Sequence, residues 1–402
     1  MKEYILLLQS NTILKRLSAI QLIAYFGAWF SNVAIYTLLL SMNVSAEIVA
    51  FVAMLHFLAG VVQAPFSGVL IDSFRPKIIM LSLIVVEIFS TLSLIFINNV
   101  NDLWLLYLLI FLKMAAASFY FTTEMSLLPK ILKGDTLQKA NELHSIIWSF
   151  SYTLGMAISG FVVFYLGVKF AFILDAFMFI LAFFMLFGLK IEIEIIKTKE
   201  NLLEMMQETF RYLKENSLAL HLMILHAFLG LTAFDALVAL MVDQYYASFI
   251  ATSLALGMIH SARAIGLVFG PLLFSNRLNN KIIVYIFLLQ AVAIFLWAYL
   301  MQNFYLSLIS SIIVGLFTTT LWSYTYTLLQ KNIEEKYYGR IVAYNDMLFL
   351  STAAFTSFMT GFLAENSFSL ERITSLIGFG FIVAGLYFSW LIKRKNIQEI
   401  YE

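Results

Sequence analysis

Residues 68–77 read GVLIDSFRPK, and this short loop decides what kind of chain surrounds it. An apolar run from Ile48 to Phe66 precedes it and another from Ile78 to Ile97, in which Glu87 is the one charged residue, follows. Each run is close to the roughly 20 residues that a helix rising about 1.5 Å per residue needs to cross a ~30 Å hydrocarbon core. A polar loop this short between two such runs is a hairpin of membrane helices.

The same arrangement recurs outward in both directions. Spanning helices are expected near 17–41, 48–70, 78–98, 103–127, 142–166, 170–189, 217–242, 248–273, 282–300, 304–328, 342–364 and 373–392. Hydrophobic residues make up 62% of the 402 and charged residues 12%, against about half and about a quarter in soluble domains. Helices are required because each satisfies its own backbone hydrogen bonds in lipid, and a barrel would leave short alternating strands instead. The fold class is therefore an all-α polytopic membrane protein with twelve transmembrane helices. The formal charge of +1 offers nothing to nucleic acid, and the absence of cysteine excludes disulfides and thiolate chemistry. The N-terminal stretch MKEYILLLQSNTILKRLSAIQ has no small-residue cleavage site after its apolar piece, so the first helix is expected to be retained.

Six helices precede Lys190 and six follow Asn216. The organisation read from this is an N-terminal half (1–189), a linker (190–216) and a C-terminal half (217–402). Within the linker Leu202, Leu203, Met206, Phe210 and Leu213 repeat at helical spacing, which reads as an amphipathic surface helix. Of the 25 Lys and Arg, 21 fall in one alternate set of loops and termini, and only Lys169 and Arg372 fall in the other. The positive-inside rule then puts both termini and the 68–77 hairpin in the cytoplasm. Shifting the sequence by 202 lays Gly68, Leu70 and Arg75 on Gly270, Leu272 and Arg277; a shift of 201 lays Lys139 on Arg340. The halves thus read as parallel repeats about a pseudo-twofold axis.

With these residues in view, the chain resembles the major facilitator superfamily, whose hairpin between helices 2 and 3 carries Gly-x-Leu-x-Asp and then a basic cluster. Gly68, Leu70, Asp72 and Lys77 match; Ser73 stands where an arginine is usual, and Arg75-Pro76 where Gly-Arg is usual. A finer likeness is to the bacterial efflux branch of macrolide and enterobactin exporters, through LLPKILKGDTLQKANELHS after helix 4, LDAFMF at 174–179 and Tyr338-Gly339-Arg340. One departure is in the first helix, where relatives often carry an acidic residue after a glycine and this chain has Gly27-Ala28-Trp29. The resemblance implies two six-helix halves working by alternating access, with helix 4 lining the central cavity and helices 3 and 6 at the periphery. It also implies a hairpin that acts as a gate. Gly68, Asp72, Arg75 and Lys77, with Gly339 and Arg340 in the second half, are the expected gating residues; the plain alternative is a positive-inside loop.

Ionisable residues inside spans are costly and point to function by default. Lys113 and Glu124, eleven residues apart on helix 4, fall within about 20° of one face and roughly 16 Å apart along the axis. This stripe is the first expectation for substrate or proton contact, with snorkelling of Lys113 as the alternative. Asp235 on helix 7 is a second proton carrier by this reasoning, or else an ion-pair partner of Arg263; the sequence leaves both open. His260 and Arg263 share a face of helix 8. His221 lies on nearly the face of Asp235, and His226 points the other way. Trp29, Ser31 and Asn32 on helix 1, and Thr320, Ser323, Tyr324 and Thr327 on helix 10, would suit an amphipathic substrate, although such polar and aromatic faces also glue helices together. Glu87 and Asp175 are read as structural.

No phosphate-binding loop, metal-ligand cluster or Ser/His/Asp arrangement is apparent, so the expectation is a non-enzymatic, cofactor-free and metal-free protein. The leading function is proton-coupled export of an amphipathic small molecule, drug-like or siderophore-like, from a prokaryotic cytoplasmic membrane. The alternatives are proton-linked or facilitated uptake of a nutrient, and a non-transporting receptor or scaffold. The expected partners are that substrate, protons and lipid, with no nucleic acid and a monomeric chain.

Overall fold

The computed structural model describes residues 2–132, 135–190, 202–274, 278–334, 337–395 and 397. Every described apolar run is helical, and twelve helices among the described residues are long and apolar enough to cross a membrane. They are α1 (Thr12–Ser41), α2 (Ala46–Ser73), α3 (Pro76–Ser93), α4 (Leu103–Ile131), α5 (Asp135–Leu166) and α6 (Val168–Phe187). The later six are α7 (within Ser217–Tyr246), α8 (Thr252–Phe274), α9 (Asn280–Leu300), α10 (Phe304–Lys331), α11 (Tyr338–Glu365) and α12 (Leu370–Arg394). No strand occurs among the described residues.

Local chemistry sets the ends. Asn11, Asn279 and Asn303 each accept a backbone N–H three residues on, which satisfies one of the orphan donors of a first turn. Pro76 opens α3, where its missing N–H costs nothing. Gly167 joins α5 to α6 at φ +84°, a left-handed conformation that glycine adopts without strain. A short helix, Lys2–Ser10, precedes α1 and was not anticipated from the sequence.

Two compact units emerge. The first comprises residues 1–44, 62–199 and 251–261, and the second 45–61, 200–250 and 262–402. Helices α2 and α8 are each divided between them. Within the first unit, α5 and α8 touch backbone to backbone: a Cβ at Gly257 would lie 2.8 Å from the Met156 carbonyl oxygen and 3.1 Å from the Gly160 Cα. Within the second, Gly361 of α11 packs on Ala46 and Ala50 of α2.

The tightest seam joins α8 to α10 in the second unit. A Cβ at Gly266 would collide with the Ile312 carbonyl oxygen, one at Gly270 with that of Leu316, and one at Gly315 with that of Arg263. In lipid, where apolar surface gains little by leaving its surroundings, such close backbone approach supplies the packing that holds helices together. Gly266→Val is expected to force the two backbones apart at a cost of about 1–3 kcal/mol, read as a lowered thermal-unfolding midpoint in detergent.

Helix α7, expected as one span over 217–242, is segmented. Regular helix runs Ser217–Ala227, a tighter turn spans Phe228–Thr232, and helix resumes at Asp235–Met241 before a wide turn to Tyr246. Gly230 lies so close to α11 that a Cβ there would sit 2.7 Å from both the Ala353 nitrogen and the Phe349 oxygen. The break frees backbone carbonyls inside a membrane span, and each needs a new donor.

Of the linker, residues 191–201 lie outside those described. The remainder forms a helix, Leu202–Glu215, which packs onto the second unit. Tyr212 stacks on Tyr337 at 4.1 Å between centroids and accepts the Glu334 N–H at 3.1 Å, while Phe210 meets Tyr344.

Candidate functional site

A concentration of buried polar atoms lies in the first unit around Glu124. Helical spacing assembles it: Tyr120 and Glu124 stand one turn apart on α4, Gln21 and Tyr25 one turn apart on α1, and His144 projects from α5. Glu124 is 2% exposed. Its carboxyl faces the Tyr25 hydroxyl, with Tyr120 beside it. Gln21 Nε2 and His144 Nδ1 are 2.6 Å apart, and the His144 ring meets the edges of Tyr25 and Phe121. Glu124 Oε2, Tyr25 Oη, Tyr120 Oη and His144 Nε2 have no hydrogen-bond partner among the described residues. An unsatisfied buried polar atom costs about 1–3 kcal/mol, so these four groups are held together at a cost to stability.

Lys113, the other member of the α4 stripe, belongs to a different cluster. Its ammonium donates to Asp175 Oδ2 and to Thr91 Oγ1, each at 2.8 Å, and lies 4.7 Å from the centre of the Phe179 ring. Ser31 on α1 donates to the same Asp175 oxygen. The pair is fully enclosed, its side chains 3% and 0% exposed, so Lys113 does not reach outward. Asp175 was read from the sequence as structural, and it is the direct partner of Lys113. Its Oδ1 rests against Gly27, where a Cβ would come within 2.5 Å. The carboxylate that Gly27-Ala28-Trp29 lacks is thus supplied to the same part of α1 from α6.

Between α1 and α5 runs an aromatic ribbon. Trp29 meets Trp148 and Tyr152 edge-on at 5.6 and 4.7 Å, and Trp148 stacks on Tyr152. Asn32 is buried one turn further along α1. Tyr152 Oη in turn lies 3.4 Å from His260 Nδ1, which gives His260 a place in the first unit next to this ribbon.

In the second unit the break in α7 orders the polar residues. Arg263 Nη2 donates at 2.9 Å to the Thr232 carbonyl, which also accepts the Phe234 N–H, and its guanidinium lies 4.9 Å from the Phe234 ring centre. Asp235 opens the resumed helix, where a carboxylate suits the positive helix end. His226 Nδ1 is 2.8 Å from Thr325 Oγ1, and its ring lies among Trp322, Tyr326 and Phe349. Tyr324 donates to Asn280 Oδ1 at 2.9 Å and is buried between α10 and α9. His221, half-buried, sits 2.6 Å from the Tyr387 hydroxyl.

Of the expected gating residues, the side chains of Gly68 and Asp72 lie outside those described. Arg75 is exposed as the N-cap of α3. Lys77 donates to the Phe187 carbonyl at 2.8 Å, a cation on the negative end of α6. Gly339 is exposed, and Arg340 pairs with Glu208 of the linker helix at 2.9 Å. That pair is partly solvated, so Arg340→Ala is expected to change thermal stability by less than about 1 kcal/mol. A shift well beyond that in a melting curve would contradict this geometry.

The sequence reading missed Gln21, Tyr25, Tyr120 and His144. The signal was available as one-turn spacings, Gln21 with Tyr25 and Tyr120 with Glu124, but only folding brings the three helices together. Among the described residues, no group of three or more His, Asp or Glu is placed to hold a metal ion.

A sequence model of the Major Facilitator Superfamily matches residues 17–274. Among solved structures, a D-xylose–proton symporter superposes with a TM-score of 0.76 at 11% identity, over 93% of this chain and 96% of that one. The xylose transporter XylE from E. coli, in an inward-open conformation, gives 0.72 at 12% identity over 96% of each chain. The nucleoside transporter NupG gives 0.70 at 14% identity, over 96% and 100%. At such identities the likeness is one of fold. A search of curated proteins found no match.

Proposed function

The chain belongs to the Major Facilitator Superfamily, and on that footing we propose that it is a proton-coupled secondary transporter of an amphipathic small molecule in which Glu124 is the coupling carboxylate. The observation that carries this reading is the unpartnered Glu124 Oε2 enclosed with Tyr25, Tyr120 and His144. A carboxyl group so placed exchanges protons with its surroundings at the cost of moving charge in and out of low dielectric. A transporter uses that cost to link a proton to a cargo. The Trp29, Trp148 and Tyr152 ribbon begins one turn along α1 from Tyr25 and offers aromatic area with a few hydrogen-bonding groups, as an amphipathic substrate requires. Asn32 and His260 extend the same surface.

The halves 1–189 and 217–402, joined by the linker 190–216, would alternate access. Export of a drug-like or siderophore-like compound from a prokaryotic inner membrane, with both termini cytoplasmic and the chain monomeric, is the direction that agrees with the efflux-branch motifs. Proton-linked uptake is the second reading, favoured by the fold likeness to a D-xylose–proton symporter. Arg263 and Asp235 would serve the second half, with Tyr324 shaping α10, and the hairpin residues Gly68, Asp72, Arg75 and Lys77 would gate.

Reconstitution in proteoliposomes under an imposed pH gradient, with dyes, antibiotics and catecholates as cargo, tests the proposal. Accumulation against the direction of proton flow supports exchange, and accumulation with it supports symport. Transport that is indifferent to dissipating the gradient sinks both.

A further inference from the structure

The buried cluster around Lys113 holds two carboxylates and one ammonium. Asp175 is 0% exposed, Lys113 2% and Glu87 3%. Lys113 bonds to Asp175 directly, and Glu87 on α3 lies within electrostatic range of both. Thr91 and Ser31 direct hydroxyls into the same space, and Phe179 closes it. With every group ionised the cluster carries one uncompensated negative charge far from water. Such a charge is penalised by several kcal/mol even after the surroundings relax, and proteins avoid it by binding a proton. One oxygen, Asp175 Oδ1, has no hydrogen-bond partner among the described residues, so the carboxylates are not saturated with donors.

This cluster is not isolated from Glu124. Tyr25 and Tyr120 each interact electrostatically with both Glu124 and Glu87. On α4 the order is Lys113, Tyr120, Glu124, at intervals of roughly 10 and 6 Å along the axis. Both phenol oxygens lack a hydrogen-bond partner among the described residues. The titratable and charged groups that face this stretch are Tyr25 from α1, Glu87 from α3, Lys113, Tyr120 and Glu124 from α4, His144 from α5 beside Tyr25, and Asp175 from α6.

We propose that Glu87, Lys113 and Asp175 form a second proton-binding site, in which the two carboxylates hold a single exchangeable proton that passes to and from Glu124 through Tyr25 and Tyr120. The transfer balances. A carboxylic acid in the cluster gives its proton to a phenol oxygen, that phenol gives its own proton to the Glu124 carboxylate, and the cluster is left with one net negative charge while Glu124 becomes neutral. This rests on reading Glu124 as the coupling carboxylate, and it explains what the Lys113 ammonium does: it limits the cluster to one proton rather than two.

Infrared difference spectroscopy on the purified full-length protein tests this without any cargo, by following the carbonyl stretch of protonated carboxylic acids as pH is raised. The wild type is expected to lose intensity in at least two components. Glu124→Gln should remove one component, Glu87→Gln should alter or remove another, and neither should remove both. Tyr25→Phe with Tyr120→Phe should slow proton exchange of the Glu87 component at least tenfold after a pH jump. Isotopically labelled glutamate in the unmutated protein gives a second route should Glu87→Gln fail to fold, since the label must shift a glutamic acid component that survives Glu124→Gln. Loss of the whole signal in Glu124→Gln, an unchanged spectrum in Glu87→Gln, or no effect of the tyrosine variants would overturn the second site or its connection. These failures differ from failure of the functional reading, which is seen as pH-driven transport surviving Glu124→Gln.

Discussion

Vesicles containing the Glu124→Gln protein are expected to accumulate no cargo when a pH gradient is imposed, although cargo still equilibrates across them. A gradient of one pH unit is worth about 1.4 kcal/mol per proton, so tight coupling of one proton to one molecule sustains roughly a tenfold concentration ratio. Glutamine matches the size of glutamate and still faces the Tyr25 hydroxyl, so the packing of α1 on α4 survives. What disappears is the group that takes and releases the proton. The steady-state ratio should therefore fall from about ten to about one per pH unit, with the exchange of labelled cargo between the two sides retained. A variant that still builds the full ratio would remove Glu124 from the mechanism.

The second large effect is on folding. Lys113→Met keeps the volume and removes the cation from a cluster that contains Asp175 and Glu87. Breaking a buried pair by removing one partner typically costs about 3–5 kcal/mol, because the remaining charge is left uncompensated. The single variant should unfold at a markedly lower temperature in detergent. Adding Asp175→Asn should restore much of the loss, since removing both partners of a buried pair is often close to neutral. A single variant that melts with the wild type would mean that the enclosed pair carries little energy. Failure of the double variant to recover would place the cost in Thr91, which loses the Lys113 ammonium as its partner.

Much of the fold was legible in the sequence because lipid permits few solutions: twelve apolar runs of spanning length become twelve helices. The short helix before α1 and the break in α7 were not. Ser217–Tyr246 is long and apolar enough to read as one span, and the close approach of Gly230 at the break is to residues of α11 more than a hundred positions away in sequence. The candidate site was legible in part. Glu124 and Lys113 stood out because charge in a span is conspicuous, and helical spacing sets them on one stripe of α4. That geometry did not reveal that the stripe passes through two separate clusters. Asp175 was assigned to the periphery by analogy, yet Gly27 leaves room on α1 for it to come inward. Tyr25 and Tyr120 were hidden by number, since with 20 Tyr and 39 Phe in the chain no single phenol draws the eye.

The docking of the linker helix changes the length of the leash between the early and late helices. Read from the sequence, the connection was the whole of 190–216. With Leu202–Glu215 fastened by the Tyr212–Tyr337 stack and the Glu208–Arg340 pair, only the chain from Lys190 to Leu202 remains to span any separation. At roughly 3.3–3.6 Å per residue its full extension is about 40 Å, less than half the reach of the connection as first read. Substitutions that undock the helix Leu202–Glu215 would return the connection to the full reach of 190–216.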